Sequence, residues 1–190
     1  MGFKKYVNDY KLENVPNKHG KLVTKAVYKG DYYVYSCRGE ELKTARITVA
    51  ACTAVAAVAF LLGIVFYRNT GWTAQYYTLV PFASCFLPLV YLCIAAFNVI
   101  RTGEGKKVDH EHKDGIHDRI SKCCVGIMAL DGLNISGIVI SSVLKITGVE
   151  TRLFTFYDAM FMICSATLIL AAAFAFFGPR KKLVMNVAVS

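Results

Sequence analysis

Long apolar blocks alternate with short polar ones along this chain, and the length of the blocks decides what they are. Ile47 to Tyr67 and Tyr76 to Ile100 carry no charge, while Ile120 to Leu144 and Leu153 to Phe177 carry one acid each. Each exceeds the roughly 20 residues that take a helix across about 30 Å of hydrocarbon. The pattern predicts an all-α integral membrane protein, a bundle of four transmembrane helices over 47–67, 76–100, 120–144 and 153–177. The connections inside the first and second pairs are short, so each pair forms an antiparallel helix hairpin. Arg68-Asn69-Thr70-Gly71 is the first turn, with Trp72, Tyr76 and Tyr77 as an aromatic belt behind it.

Three polar segments flank the spans. Residues 1–46 form a head in which Lys21 to Lys29 and Tyr32 to Arg38 are rich in Val, Tyr and Thr. Gly30-Asp31 between them fits a type II′ turn and predicts a β-hairpin over 21–38, with Tyr28 opposite Tyr33 and Val27 opposite Val34. Leu22, Tyr28, Tyr33 and Tyr35 would then share a face that must dock on the bundle, on lipid headgroups, on another copy or on a cytoplasmic protein partner, since a lone hairpin is marginal. Pro16 to Gly20 reads as a turn, and Arg38 to Arg46 leads helically into the first span. Residues 101–119 form a charged loop. Residues 178–190 form a tail that begins with the helix stop Gly178-Pro179 and the basic cluster Arg180-Lys181-Lys182.

Charge then orients the bundle. Of the 22 Lys and Arg residues, ten lie in 1–46, six in 101–122 and three after Phe177, leaving Arg68, Lys145 and Arg152 for the other side. That asymmetry places both termini in the cytoplasm of a cell membrane, in agreement with an even number of spans. The net charge of +9 is therefore a topology signal, and no basic folded module suggests nucleic acid. A hydrophobic content of 55% with 18% charged residues excludes an ordinary soluble domain. The first apolar run starts too late for a secretory signal, and neither myristoylation nor prenylation motifs stand at the ends. Six of the seven cysteines lie in or beside spans and Cys37 is on the cytoplasmic side, so no disulfide framework is expected.

The candidate chemistry lies in the third span. Ser121, Cys124, Asp131, Asn134, Ser141 and Lys145 are spaced by three, four and seven residues and share one helix face, with Asp131 near mid-span. An acid at hydrocarbon depth costs several kcal/mol unless it finds a partner, a neutralising proton or water. In the second span Pro81 and Pro88 share a face with Ser84 between them, which predicts a kink that frees backbone carbonyls. Reflecting the last two spans about the turn at Thr151-Arg152 sets Lys145 level with Asp158, predicting an ion pair, and Asp131 level with Ala172, which has no charge to offer. Asp131 must then use Asn134, Ser84, a freed carbonyl, water or another subunit. In the loop, His110, His112 and His117 stand among four carboxylates; His110 and His112 could face one metal ion if that segment were extended, although the spacing matches no known metal motif. No cofactor is expected.

These features imply a transporter or channel-like protein moving a small solute or ion along the face of Asp131 and Asn134, working as a homo-oligomer. The packing alternative is that the same pair only specifies helix contacts. The alternative of another class is a non-catalytic membrane subunit or scaffold that recruits cytoplasmic partners or anionic lipid through its basic head and loop. No catalytic motif for a nucleophile, a phosphate loop or a metalloprotease is present, so an enzyme is not expected.

Overall fold

The helices of the computed structural model follow the apolar blocks but overrun them at one end. The structure describes residues 9–16, 22–70, 76–102, 105, 107–146, 155–179 and 182–187. Its elements are β1 (Tyr10–Pro16), β2 (Leu22–Tyr28), β3 (Tyr33–Tyr35), α1 (Gly39–Tyr67), α2 (Tyr76–Ser84), α3 (Phe86–Arg101), α4 (His110–Ile146), α5 (Phe156–Phe177) and β4 (Met185–Val187). Four helical stretches are long and apolar enough to cross a membrane: Gly39–Tyr67, Tyr76–Arg101, His112–Val143 and Phe156–Phe177. α1 packs on α5 and α3, and α4 packs on α5 and on both α2 and α3, which closes a four-membered ring around one core.

α2 and α3 are the predicted second span, interrupted by one residue, Cys85, whose backbone stays in the right-handed helical region. Pro81 and Pro88 lack the N–H groups that would bond Tyr77 O and Ser84 O. The Cys85 amide turns instead to Phe82 O at 3.1 Å, a tighter 3₁₀-type bond, and the Cys85 thiol donates to Pro81 O at 3.4 Å.

Two glycines let helices approach. A Cβ on Gly63 would stand 2.7 Å from the Phe82 ring, and one on Gly137 would stand 3.0 Å from Tyr77 O. Around Gly63 the rings of Phe60, Tyr67, Phe82 and Phe161 form an aromatic layer, with Phe82 and Phe161 edge to face at 4.9 Å.

Three expectations for the polar segments are corrected. β2 pairs antiparallel with β1, Tyr28 opposite Tyr10 and Leu22 opposite Pro16, and not with β3. Gly30 does not adopt the positive φ that a II′ turn demands there, and Lys29 N instead extends the β1 ladder by donating to Asp9 O at 2.7 Å. β3 pairs with β4, Tyr33 opposite Val187 and Tyr35 opposite Met185, while Tyr33 also exchanges bonds of 2.8 Å with Val108. The face expected to unite Leu22 with Tyr35 is therefore split: Leu22 is 71% exposed and Tyr35 is buried. The turn expected at 16–20 falls mostly outside the described residues.

Residues 110–119, expected in a loop, are the first turns of α4. Asp109 caps them, accepting from His112 N at 3.0 Å, and Ile116 and Ile120 continue the buried spacing of Cys124, Ile127 and Asp131. With 37 residues α4 is about 55 Å long, well beyond a hydrocarbon core. Leu183, in the tail, is buried beside Ile116, Ile120 and Ala175. Head, the start of α4 and tail thus meet at one end of the bundle.

Candidate functional site

α4 supplies the centre of the site, because its apolar face is interrupted where α5 offers a hydroxyl. Asn134 Nδ2 donates to Asp131 Oδ1 at 2.9 Å and to Ser165 Oγ of α5 at 3.0 Å. Asp131, Asn134, Ser141 and Ser165 have no exposed surface. Asn134 thus links Asp131 to Ser165, and the three side chains form a polar triangle across two helices, two of its sides hydrogen-bonded. Asp131 Oδ2, Asn134 Oδ1 and Ser141 Oγ remain buried without a hydrogen-bond partner among the described residues. Acceptors in excess of donors, in an apolar surround, form an environment that favours a proton or a small cation over an anion.

Neighbouring elements frame the triangle. α2 and α3 pack on α4, and Cys85 at their junction is fully buried. Phe161, one turn before Ser165 on α5, belongs to the aromatic layer that closes the bundle at the end away from the head. Gly126 lies against Pro88, since a Cβ there would stand 3.5 Å from the proline ring.

The residues singled out by sequence fall as follows. Asp131 and Asn134 are joined directly. Pro81 and Pro88 lie in the second helical stretch, but no hydrogen bond among the described residues connects Ser84 to either polar partner. The mirror arithmetic misplaced the contact on α5: Asn134, set level with residue 169, meets Ser165 about one turn away, because helices that cross at an angle do not keep level by residue count. Ser165 was therefore missed, although it is a hydroxyl near the middle of α5. The side chain of Lys145 lies outside the described residues, as does residue 152. Asp158 acts within its own helix: Oδ2 accepts from Thr155 N at 2.7 Å and from Thr155 Oγ1 at 2.9 Å, a capping box for α5.

The histidines do not share a site. On a helix His110 and His112 point to different sides. His110 Nδ1 lies 3.3 Å from Asp9 Oδ2, His112 Nδ1 lies 2.6 Å from Asp109 Oδ1, and His117 Nδ1 lies 3.9 Å from Asp118 Oδ1. Among the described residues no group of three His, Cys, Asp or Glu side chains gathers where it could hold a metal. The extended segment that a shared ion required is replaced by the capped start of α4.

No protein-family model, curated protein or solved structure matches this chain. The functional reading therefore rests on the geometry of the polar triangle.

Proposed function

We propose that this is a multi-pass transporter of the cell membrane, with head, inner loop and tail in the cytoplasm, that moves a small cation or exchanges protons for a small solute through the Asp131 site. The observation that carries the reading is the buried Asp131 carboxylate with an unpartnered oxygen, held by Asn134, which Ser165 of a second helix holds in turn. A carboxylate at mid-bilayer depth that served packing alone would be replaced at little cost by an aliphatic side chain. The α2–α3 helix, interrupted at Cys85 and packed on α4, supports the same reading, since interrupted helices at mid-membrane are how secondary transporters expose backbone to a substrate. In this conformation the site is closed, with the aromatic layer of Tyr67, Phe82 and Phe161 on one side. Transport then needs Phe82 and Phe161 to part.

The test is flux in proteoliposomes carrying an imposed pH gradient, with a pH-sensitive dye inside. Wild type collapses the gradient or drives solute exchange, and Asp131→Asn loses this while its circular dichroism is unchanged. Flux at wild-type level in Asp131→Asn removes Asp131 from the mechanism. Asp131→Leu that is both more stable and still active would defeat the packing account as well.

The scaffold alternative has one observation in its favour. The β1–β2 hairpin leaves Leu12 at 76% and Leu22 at 71% exposed on one face, with Lys11 and Lys25 on the other. Crosslinking from position 12 or 22 would reveal a partner or a second copy of the chain there.

A further inference from the structure

The oxygens that the polar triangle leaves over identify the ion it takes. Both hydrogens of Asn134 Nδ2 are spent, one on Asp131 Oδ1 at 2.9 Å and one on Ser165 Oγ at 3.0 Å. The second oxygens of the same two α4 side chains, Asp131 Oδ2 and Asn134 Oδ1, are buried and receive no hydrogen bond among the described residues. The two residues are about one helical turn apart, and neither has exposed surface.

The surrounding helices bring no positive charge to this point. Asp131 is the only charged residue between positions 123 and 144. Of the elements packed on α4, α2 holds no charged residue, α3 only Arg101 at its last position, and α5 only Asp158 in its first turn. Asp158 is an acid, and its Oδ2 is taken up by Thr155. The other titratable groups of these elements are tyrosines and cysteines, among them Tyr77 beside Gly137, the buried Cys85 at the α2–α3 junction and the buried Cys164 of α5. Phenols and thiols are neutral or anionic, never cationic. An ionised Asp131 would thus keep an uncompensated charge in an apolar surround, which is relieved most simply by neutralisation.

One proton removes both leftovers together. Placed on Asp131 Oδ2 it turns an orphan acceptor into an O–H donor, and Asn134 Oδ1 is the orphan acceptor that such a donor can serve. A metal ion asks for more, since hard cations gather six or more oxygen ligands and need space for the ion itself. The third unpartnered oxygen, Ser141 Oγ, stands seven residues beyond Asn134, about 10 Å along α4. A proton needs no room beyond the hydrogen bond it makes. We infer that Asp131 carries a proton in this closed conformation, donated from Oδ2 to Asn134 Oδ1, so that the ion bound by the site is a proton and not a metal cation.

The inference rests on the transport reading for what the proton is used for, but the bound proton is measured without flux. The full-length protein is placed in nanodiscs of neutral phosphatidylcholine, and its infrared spectrum is recorded at neutral pH in water and in deuterium oxide. Wild type should show a carboxylic-acid carbonyl band that shifts on deuteration and is lost in Asp131→Asn. The band should lie below that of an acid without a hydrogen bond and rise towards it in Asn134→Leu; if Asn134→Leu does not fold, the position of the wild-type band alone reports the bond. Exchanging choline chloride for sodium or potassium chloride at equal ionic strength should change neither the band nor the thermal unfolding temperature. Asp131→Asn, whose amide offers the same donor and acceptor as the protonated acid, should unfold at the wild-type temperature. The inference is overturned by the absence of an Asp131 band, by a band that sodium or potassium removes, by a band that Asn134→Leu leaves unmoved, or by stabilisation with either ion that Asp131→Asn abolishes. The two readings fail separately: a band without flux retires transport and keeps the bound proton, whereas flux lost in Asp131→Asn with no band in wild type keeps transport and overturns the proton.

Discussion

Replacing Asn134 by leucine tests the polar triangle most sharply, because one amide nitrogen serves both of its helices. In the wild type Asn134 Nδ2 holds Asp131 Oδ1 at 2.9 Å and Ser165 Oγ at 3.0 Å, all without exposed surface. Leucine has a similar volume, so the loss is of bonds rather than of packing. A hydrogen bond between membrane helices contributes about 0.6 kcal/mol on average, and rarely more than about 1.7. The substitution also leaves a buried carboxylate short of a donor, at about 1–3 kcal/mol. Together the terms predict that Asn134→Leu destabilises the bundle by about 2–4 kcal/mol. Ser165→Ala removes one arm of the triangle and should cost about 1 kcal/mol. The decisive quantity is the double-mutant cycle: the pair should be less destabilised than the sum of the singles by about 0.6 kcal/mol or more. Reversible unfolding in mixed detergent–lipid micelles, followed by far-ultraviolet circular dichroism, measures all four proteins. If the two losses simply add, no bond links α4 to α5 at this point. If Asn134→Leu stabilises the protein, Asp131 does not rely on it.

Four further outcomes follow from the same structure. Gly63→Ala places a Cβ where the Phe82 ring stands at 2.7 Å, and should lower stability by about 1–3 kcal/mol, an effect relieved in the double variant with Phe82→Leu. Asp158→Ala removes both acceptor bonds of the α5 cap and should cost about 1 kcal/mol in the same unfolding assay; an unchanged protein would show that the capping box is not formed. For pH, the phenols of Tyr28 and Tyr35 are both raised above the ordinary 10.0, chiefly by burial. A raised acid contributes stability that is complete below its unfolded value and is lost as pH climbs through the folded one, so stability should fall above about pH 10 and Tyr35→Phe should flatten that fall. Removal of residues 183–190 takes away the acceptor of Ser36 N, Val184 O at 2.9 Å, and should abolish protection of the Ser36 amide in hydrogen exchange without unfolding the helices.

The four helices were legible because block length is a one-dimensional property that a single sequence carries in full. The buried acid was legible too, since Asp131 interrupts an apolar run and Asn134 follows on the same face. What lay outside reach was anything decided by two distant segments. Ser165 could be chosen as the partner only by knowing how α4 and α5 cross. The start of α4 was hidden by charge: Asp109 and Ile116 were a cap and a first buried position, but the intervening histidines and acids carry no apolar period. The hairpin failed for a related reason. Leu22 to Tyr28 is a good strand with two possible partners of similar composition, and local turn chemistry at Gly30 favoured the wrong one. The tail was silent, because three residues such as Met185, Asn186 and Val187 make a strand only when another edge is already waiting.

That last pairing sets an order of assembly. Ser36 and Val184 are 148 residues apart, and every helix of the bundle is synthesised between them. The edge of β3 stays open while α1 to α5 are being made and placed, and closes when β4 arrives on the same side. A chain with one helix skipped or inverted would deliver β4 to the opposite face, where Tyr33 to Tyr35 cannot reach it. The small sheet is therefore a parity check on the bundle: it forms when the helices have run back and forth an even number of times and returned β4 to the end where β3 lies, and otherwise leaves strand edges exposed.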